Sequence, residues 1–272
     1  MLFTRYCQSP RLQSYLHYLM AMQYNEAAQH ISVGGRNRNK TQYNQYRTCL
    51  SYLLYNIHHD SVSGWLMVAS FYYRMKHYNT AINIASYAVS KCTPEKFFYQ
   101  ENYLSSEHCA LIKTRMIQSM SITRVLKLLL ISYVYFIPQS TLIPEELELE
   151  VVNGSHSLPS VVYSHFIRFL CYYHLNNVNQ CYDALTDLQL TISEDYFISN
   201  TKHRSNSYNC LGVAYALIGN YESAAHAYHQ AIEFDTRVNS ASRRLSMIQK
   251  TNTVCLLTLI RLLNYRNAPE CT

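Results

Sequence analysis

An all-α fold, built as a stack of antiparallel helix pairs, is predicted by three observations. Apolar residues recur at the helical period in every long segment, and no convincing run alternates as a strand would. Glycine and proline are scarce, six of each in 272 residues, which argues against a loop-rich or disordered chain. A helix–turn–helix unit of about 34 residues also occurs twice. The clearer copy covers 205–238, with Tyr208, Leu211, Gly212, Tyr215, Gly219, Tyr221, Ala224, Tyr228 and Ala231. Small Gly212 and Ala224 let two helices approach, the tyrosines fill the space around them, and Gly219 stands at the turn. The other copy covers 62–95. Trp65, Val68, Ala69, Tyr72, Tyr78, Ala81, Ala85 and Ala88 keep the same offsets there, with Lys76 in place of the turn glycine.

The remaining elements follow in chain order. Pro10 opens a helix with Leu12, Tyr15, Leu16, Leu19 and Met22 on one side, and Ser32 to Lys40 reads as a polar loop. A helix from about Tyr43 to Asn56 buries Tyr46, Cys49, Leu50 and Leu53, and Asp60 or Ser61 caps the next one. Past Pro94 the pattern predicts a helix near 103–120 and a strongly apolar one from Ile122 to Ile137, ended by Pro138. Pro144 followed by Glu145, Glu146, Glu148 and Glu150 is a helix start, stopped at Asn153-Gly154. Ser157 and Pro159 open a further pair, roughly 159–191, with Val162, Phe166, Phe169, Leu170 and Tyr173 and then Cys181, Leu185 and Leu188 inside. Helices near 239–250 and 252–265 close the array. The prediction is a single helical-repeat domain over 1–272. It comprises degenerate helices at 1–61, the copy at 62–95, worn repeats with insertions at 96–204, the clear copy at 205–238, and closing helices at 239–272.

Composition narrows the function. The net charge of +6 reflects a shortage of acids, and the basic residues are scattered apart from Arg36, Arg38 and Lys40 and from Lys202, His203 and Arg204. Solvated loop charges explain these groups better than a nucleic-acid face, so no nucleic-acid partner is expected. Nine cysteines, an odd number with no framework spacing, point to a reducing compartment, and the apolar runs are too short to span a bilayer. A cytoplasmic protein without a membrane partner is expected.

Chemistry-bearing constellations are few. His226 and His229 stand at i, i+3, a spacing two metal ligands can use, but no third ligand accompanies them. Cys171, His174 and Cys181 make a looser constellation at a helix turn, where Cys171 and Cys181 are read as packing residues rather than metal ligands, and His58-His59-Asp60 are read as loop and cap residues. The acids at 145–150 alternate, and in an α-helix residues i and i+2 do not share a face. No phosphate loop, nucleophile elbow, dinucleotide glycine pattern or CxxC pair occurs. No enzyme, cofactor or metal is expected.

The two copies resemble the tetratricopeptide family. That resemblance implies a superhelix whose first helices line a concave groove for a peptide or a partner's helix. Matching offsets put Leu66, Met67, Ser70, Tyr73 and Arg74 on the groove in one copy and Asn209, Cys210, Val213 and Ala216 in the other. The lysine and asparagine set with which some members clamp a terminal carboxylate is not carried. Five stretches, Leu50 to Leu54, Ser63 to Leu66, Ser90 to Lys96, His165 to Asp187 and Tyr208 to Gly212, support a narrower resemblance. They are similar to the helical C-terminal extension of invertebrate nucleotidyltransferase proteins of the male-abnormal, cyclic GMP-AMP synthase-like type. This second resemblance implies a detached regulatory or oligomerising region, itself catalytically inert, with Met1 an internal start or the start of a truncated gene model. The first implies a non-enzymatic scaffold for protein–protein interaction.

Overall fold

The structure, a computed structural model, describes residues 9–32, 39–98, 106–235 and 240–250. Its fold is all-α, made of adjacent, packed helix pairs. Helix α1 (Pro10–Gln29) packs on α2 (Asn39–Asn56), and α3 (Ser63–Arg74) packs on α4 (Tyr78–Ser90). After an excursion through residues 91–159 the chain resumes with α8 (Ser160–His174) on α9 (Val178–Ser193), then α10 (Thr201–Leu217) on α11 (Tyr221–Phe234). Residues 240–250 are again helical. Helix α4 packs directly against α8, so the excursion leaves the stack and returns without interrupting it.

The last three pairs share one turn. Lys76, Asn176 and Gly219 each follow the first helix by two residues and adopt positive φ, at 61°, 53° and 81°. The next residue's N–H reaches back to a tyrosine carbonyl in each pair: His77 to Tyr72, Asn177 to Tyr172 and Asn220 to Tyr215, at 2.9–3.0 Å. This is the left-handed helix stop that glycine favours; here lysine and asparagine also adopt it. Asn177 and Asn220 then cap the second helices by accepting from the N–H groups of Gln180 and Ser223. Gly212 is needed for contact: a Cβ on it would stand 2.5 Å from the ring of buried Tyr228.

The excursion departs most from expectation. The apolar stretch from Ile122 to Ile137 is not one helix. Helix α7 (Ile122–Leu129) stops and the backbone extends into β2 (Leu130–Ile131) and β3 (Val134–Phe136). Strand β2 pairs in parallel with β1 (Phe97–Phe98), and β3 pairs antiparallel with β4 (His156–Leu158), which takes Ser157 out of the helix start. Val134 and Phe136 are buried while Tyr135 faces out, the alternation of a half-buried strand. The predicted helix at 103–120 is broken into α5 (Ser106–Ile112) and α6 (Arg115–Gln118), and Glu145–Val151 winds as a 3₁₀ helix. The expected helix at 252–265 and the basic Arg36 and Arg38 lie outside the described residues.

Asp60 joins the excursion to the stack. Its fully buried carboxylate accepts backbone N–H bonds from Val62, Ser63 and Gly64 at the start of α3, and from Ser132 between β2 and β3, at 2.9–3.3 Å. Ser61 strengthens the same seam: its N–H donates to Leu130 and its hydroxyl to the Lys127 carbonyl. Burial alone would raise the Asp60 pKa. The neighbouring His59 and the N–H groups of Ser132 and Ser63 outweigh it and hold the carboxyl below its ordinary value. No helix among the described residues is long and apolar enough to cross a membrane.

Two stability predictions follow from these contacts. In urea titrations Lys76→Gly should gain about 1 kcal/mol and Gly219→Ala should lose about 1 kcal/mol, because only a non-glycine residue is strained at positive φ. Asp60→Ala should cost about 3 kcal/mol at neutral pH, since it strands four buried N–H groups. The native Asp60 pKa lies below its unfolded value of about 4, so its contribution is complete above that pH and lost as pH falls through the native pKa. Asp60→Asn should accordingly flatten the acid limb of the stability profile.

Candidate functional site

The residues expected on the groove stand on the row of first helices, α3, α8 and α10, and the excursion lies along that row. Leu66, Met67, Ser70, Tyr73, Asn209, Cys210 and Val213 are buried, while Arg74 and Ala216 are partly exposed. Strand β3 lies against α3, and the Ser70 hydroxyl sits 2.6 Å from the Tyr163 hydroxyl of α8, whose ring meets Phe136 edge-on. The first-helix face is therefore covered by the chain itself.

Its polar end grips the acidic 3₁₀ helix. The Tyr73 hydroxyl donates to Glu146 Oε1 at 2.7 Å, and His174 Nε2 lies 2.8 Å from that hydroxyl and 3.2 Å from the same carboxylate oxygen. The His174 ring stacks on Tyr78. The Asn209 amide donates to Glu150 Oε1 at 2.8 Å; Arg244, from the helix at 240–250, donates to that oxygen at 3.1 Å and to the Glu146 carbonyl at 2.8 Å. Arg74 pairs with Glu145 and Glu148 on the outer side, at 3.3 and 3.1 Å. Between the acids, Leu147 and Val151 enter the core. Three first helices and the helix at 240–250 thus converge on one short segment.

The spacing of the acids decides which of them meet. Residues at i and i+3 eclipse in a 3₁₀ helix, so Glu145 and Glu148 meet one arginine, while Glu146 and Glu150 turn toward the helices. The proline before four glutamates was a visible signal, whereas Arg244 and His174 had no signature of a shared site.

The clasp is built for holding. Burial, and then the adjacent Glu146, raise the Tyr73 pKa far above its ordinary value, so it stays a phenol and donates. Burial likewise pushes the Cys171 and Cys210 thiols well up and Cys49 up to about 12, which leaves them poor nucleophiles. Among the described residues no three His, Cys, Asp or Glu side chains are grouped to hold a metal. His226 and His229 are exposed on α11, and the thiol of Cys181 is directed at the Phe169 carbonyl. Of the basic trio at 202–204, Lys202 is exposed, His203 is buried, and Arg204 pairs with Asp195 and covers the Phe234 ring.

The two ion-pair layers should respond differently to mutation. Glu150 and Arg244 are 4% and 14% exposed, so Arg244→Met should cost about 3 kcal/mol by leaving a buried carboxylate unpaired, and adding Glu150→Leu should restore most of it. Arg74→Ala, whose partners are exposed, should cost under about 1 kcal/mol. Thermal and urea unfolding of the three variants measures the contrast. Compared with known proteins, the chain matches no family model, no curated protein and no solved structure.

Proposed function

We propose that the chain is a non-enzymatic helical-repeat module for protein–protein interaction, whose first-helix face takes a short acidic segment. The observation that carries this reading is the clasp on residues 145–151, where side chains from α3, α8, α10 and the helix at 240–250 hold one non-α segment by its carboxylates. The shared turns at Lys76, Asn176 and Gly219 support a tetratricopeptide-like array. The six described cysteines are free thiols, which supports a reducing, cytoplasmic setting.

The present occupant is strongly anchored. Leu142, Ile143, Leu147 and Val151 are almost fully buried. At about 1.5–3 kcal/mol for each such side chain, their burial rivals the whole stability of a typical domain. An outside peptide of the same chemistry therefore engages the face only when the chain's own segment is loosened.

A labelled peptide with the sequence of residues 143–152 tests the reading by fluorescence anisotropy. Wild-type protein should not take it up. Leu147→Ala, which opens a core cavity beneath the segment, should bind it, and added Tyr73→Phe should weaken that binding several-fold. A Leu147→Ala protein that keeps its helical circular dichroism yet ignores the peptide would sink the proposal.

A further inference from the structure

A cleft of about 480 Å³ lies away from the clasp, where α1, the turn before α3, the β3–β4 hairpin and the start of α10 meet. Asn56, Ser63 and Ser132 line it at 3%, 6% and 7% exposure, so their polar side chains stand at the base of the cleft. Roughly 90% of buried polar groups in folded proteins are paired, and each that is not costs about 1–3 kcal/mol. On the same wall the buried Asn25 Oδ1, His59 Nε2 and His203 Nδ1 lack hydrogen-bond partners.

The rest of the wall indicates what they await. Tyr18 stacks on His59 at 4.6 Å between ring centroids, and Tyr133 stacks on His203 at 3.8 Å, which gives the cleft flat aromatic surfaces. Burial, with Lys202 and His156 nearby, lowers the His203 pKa to about 4, so that ring is neutral at physiological pH. Lys202 stands exposed in the first turn of α10, a 17-residue helix, and has no ion-pair partner among the described residues. Glu26 is the acid of the lining. Aromatic faces stack on heterocycles, a carboxamide matches their donor–acceptor edges, and a lysine at a helix start attracts an anion. The volume falls within the range of small-molecule sites, about 300–1,000 Å³.

We propose that this cleft binds a nucleoside monophosphate. The heterocycle lies against the tyrosine–histidine stacks with its edge on Asn56, Ser63 and Ser132, and the phosphate sits beside Lys202. The site is independent of the acidic clasp, so either reading can fail alone. A free nucleotide and the 5′ end of an oligonucleotide share this chemistry, and a 5′-phosphorylated ten-nucleotide strand separates them.

Calorimetric titration of the full chain with AMP, GMP, CMP, UMP, the four parent nucleosides and that strand tests the proposal. At least one free monophosphate should bind with Kd of about 100 μM or tighter. Lys202→Glu, a surface change, should weaken it about tenfold and leave the parent nucleoside's affinity unchanged. Asn56→Leu should abolish binding while the helical circular dichroism is retained, because the amide that matches the heterocycle edge is removed. If Asn56→Leu does not fold, Ser132→Ala takes its place, with binding weakened several-fold. No binding of any monophosphate at millimolar concentration would show that the cleft holds water only. Binding unchanged by Lys202→Glu, or tight binding of the strand alone, would equally overturn the assignment.

Discussion

The carboxylate of Asp60 is the constraint on which the rest of the structure depends. A charge with no solvent contact is tolerated because four backbone N–H groups surround it, three from the start of α3 and one from Ser132. Ser132 lies 72 residues beyond Asp60 in sequence, so one side chain pins the middle of the excursion to the start of α3. From Ser132 onward the path is determined step by step. Ser160 donates to the Ser132 carbonyl, Gln29 bridges Tyr135 and Ile137, and Thr141 bonds the end of α1. The acidic 3₁₀ helix then arrives opposite Tyr73, His174 and Asn209.

The helix pairs were legible because their determinants are local. Gly212 facing Tyr228, alanines at close contacts, and a left-handed residue after the first helix of each of the pairs α3–α4, α8–α9 and α10–α11 all act within about 34 residues. The repeat offsets carried through Lys76 and Asn176 because the turn's hydrogen bond is made by backbone, and a left-handed conformation is costly but not closed to these residues. The excursion was not legible for the opposite reason. Ile131, Val134 and Phe136 suit a helix or a strand equally well by periodicity, and partners at Phe98, Leu158 and Asp60 decide the matter.

The candidate site shows the same division. Tyr73, Arg74 and Asn209 were placed on the first-helix face by offset alone, and the structure sets them around one segment. What covers that face was hidden, because the meeting of Glu146 and Glu150 with Arg244 depends on the fold closing over residues 137–152. Tyrosine's abundance also gains a physical meaning. Tyr73, Tyr163 and Tyr228 fill the interior with a ring while Tyr73 and Tyr163 use their hydroxyls inside it, a task phenylalanine cannot perform.

The excursion between α4 and α8 also bears on how the chain reaches its fold. Helices α8 to α11 are joined by short turns, so they can zip together from neighbouring contacts alone. Docking α4 onto α8 instead closes the span 91–159, which costs about 2 kcal/mol more entropy than a turn of a few residues. The joins within each half are thus local, and the join between the halves is the costly one, held where Asp60 accepts from Ser132. During synthesis α3 and α4 are made before β3 and α8, the elements on which they pack.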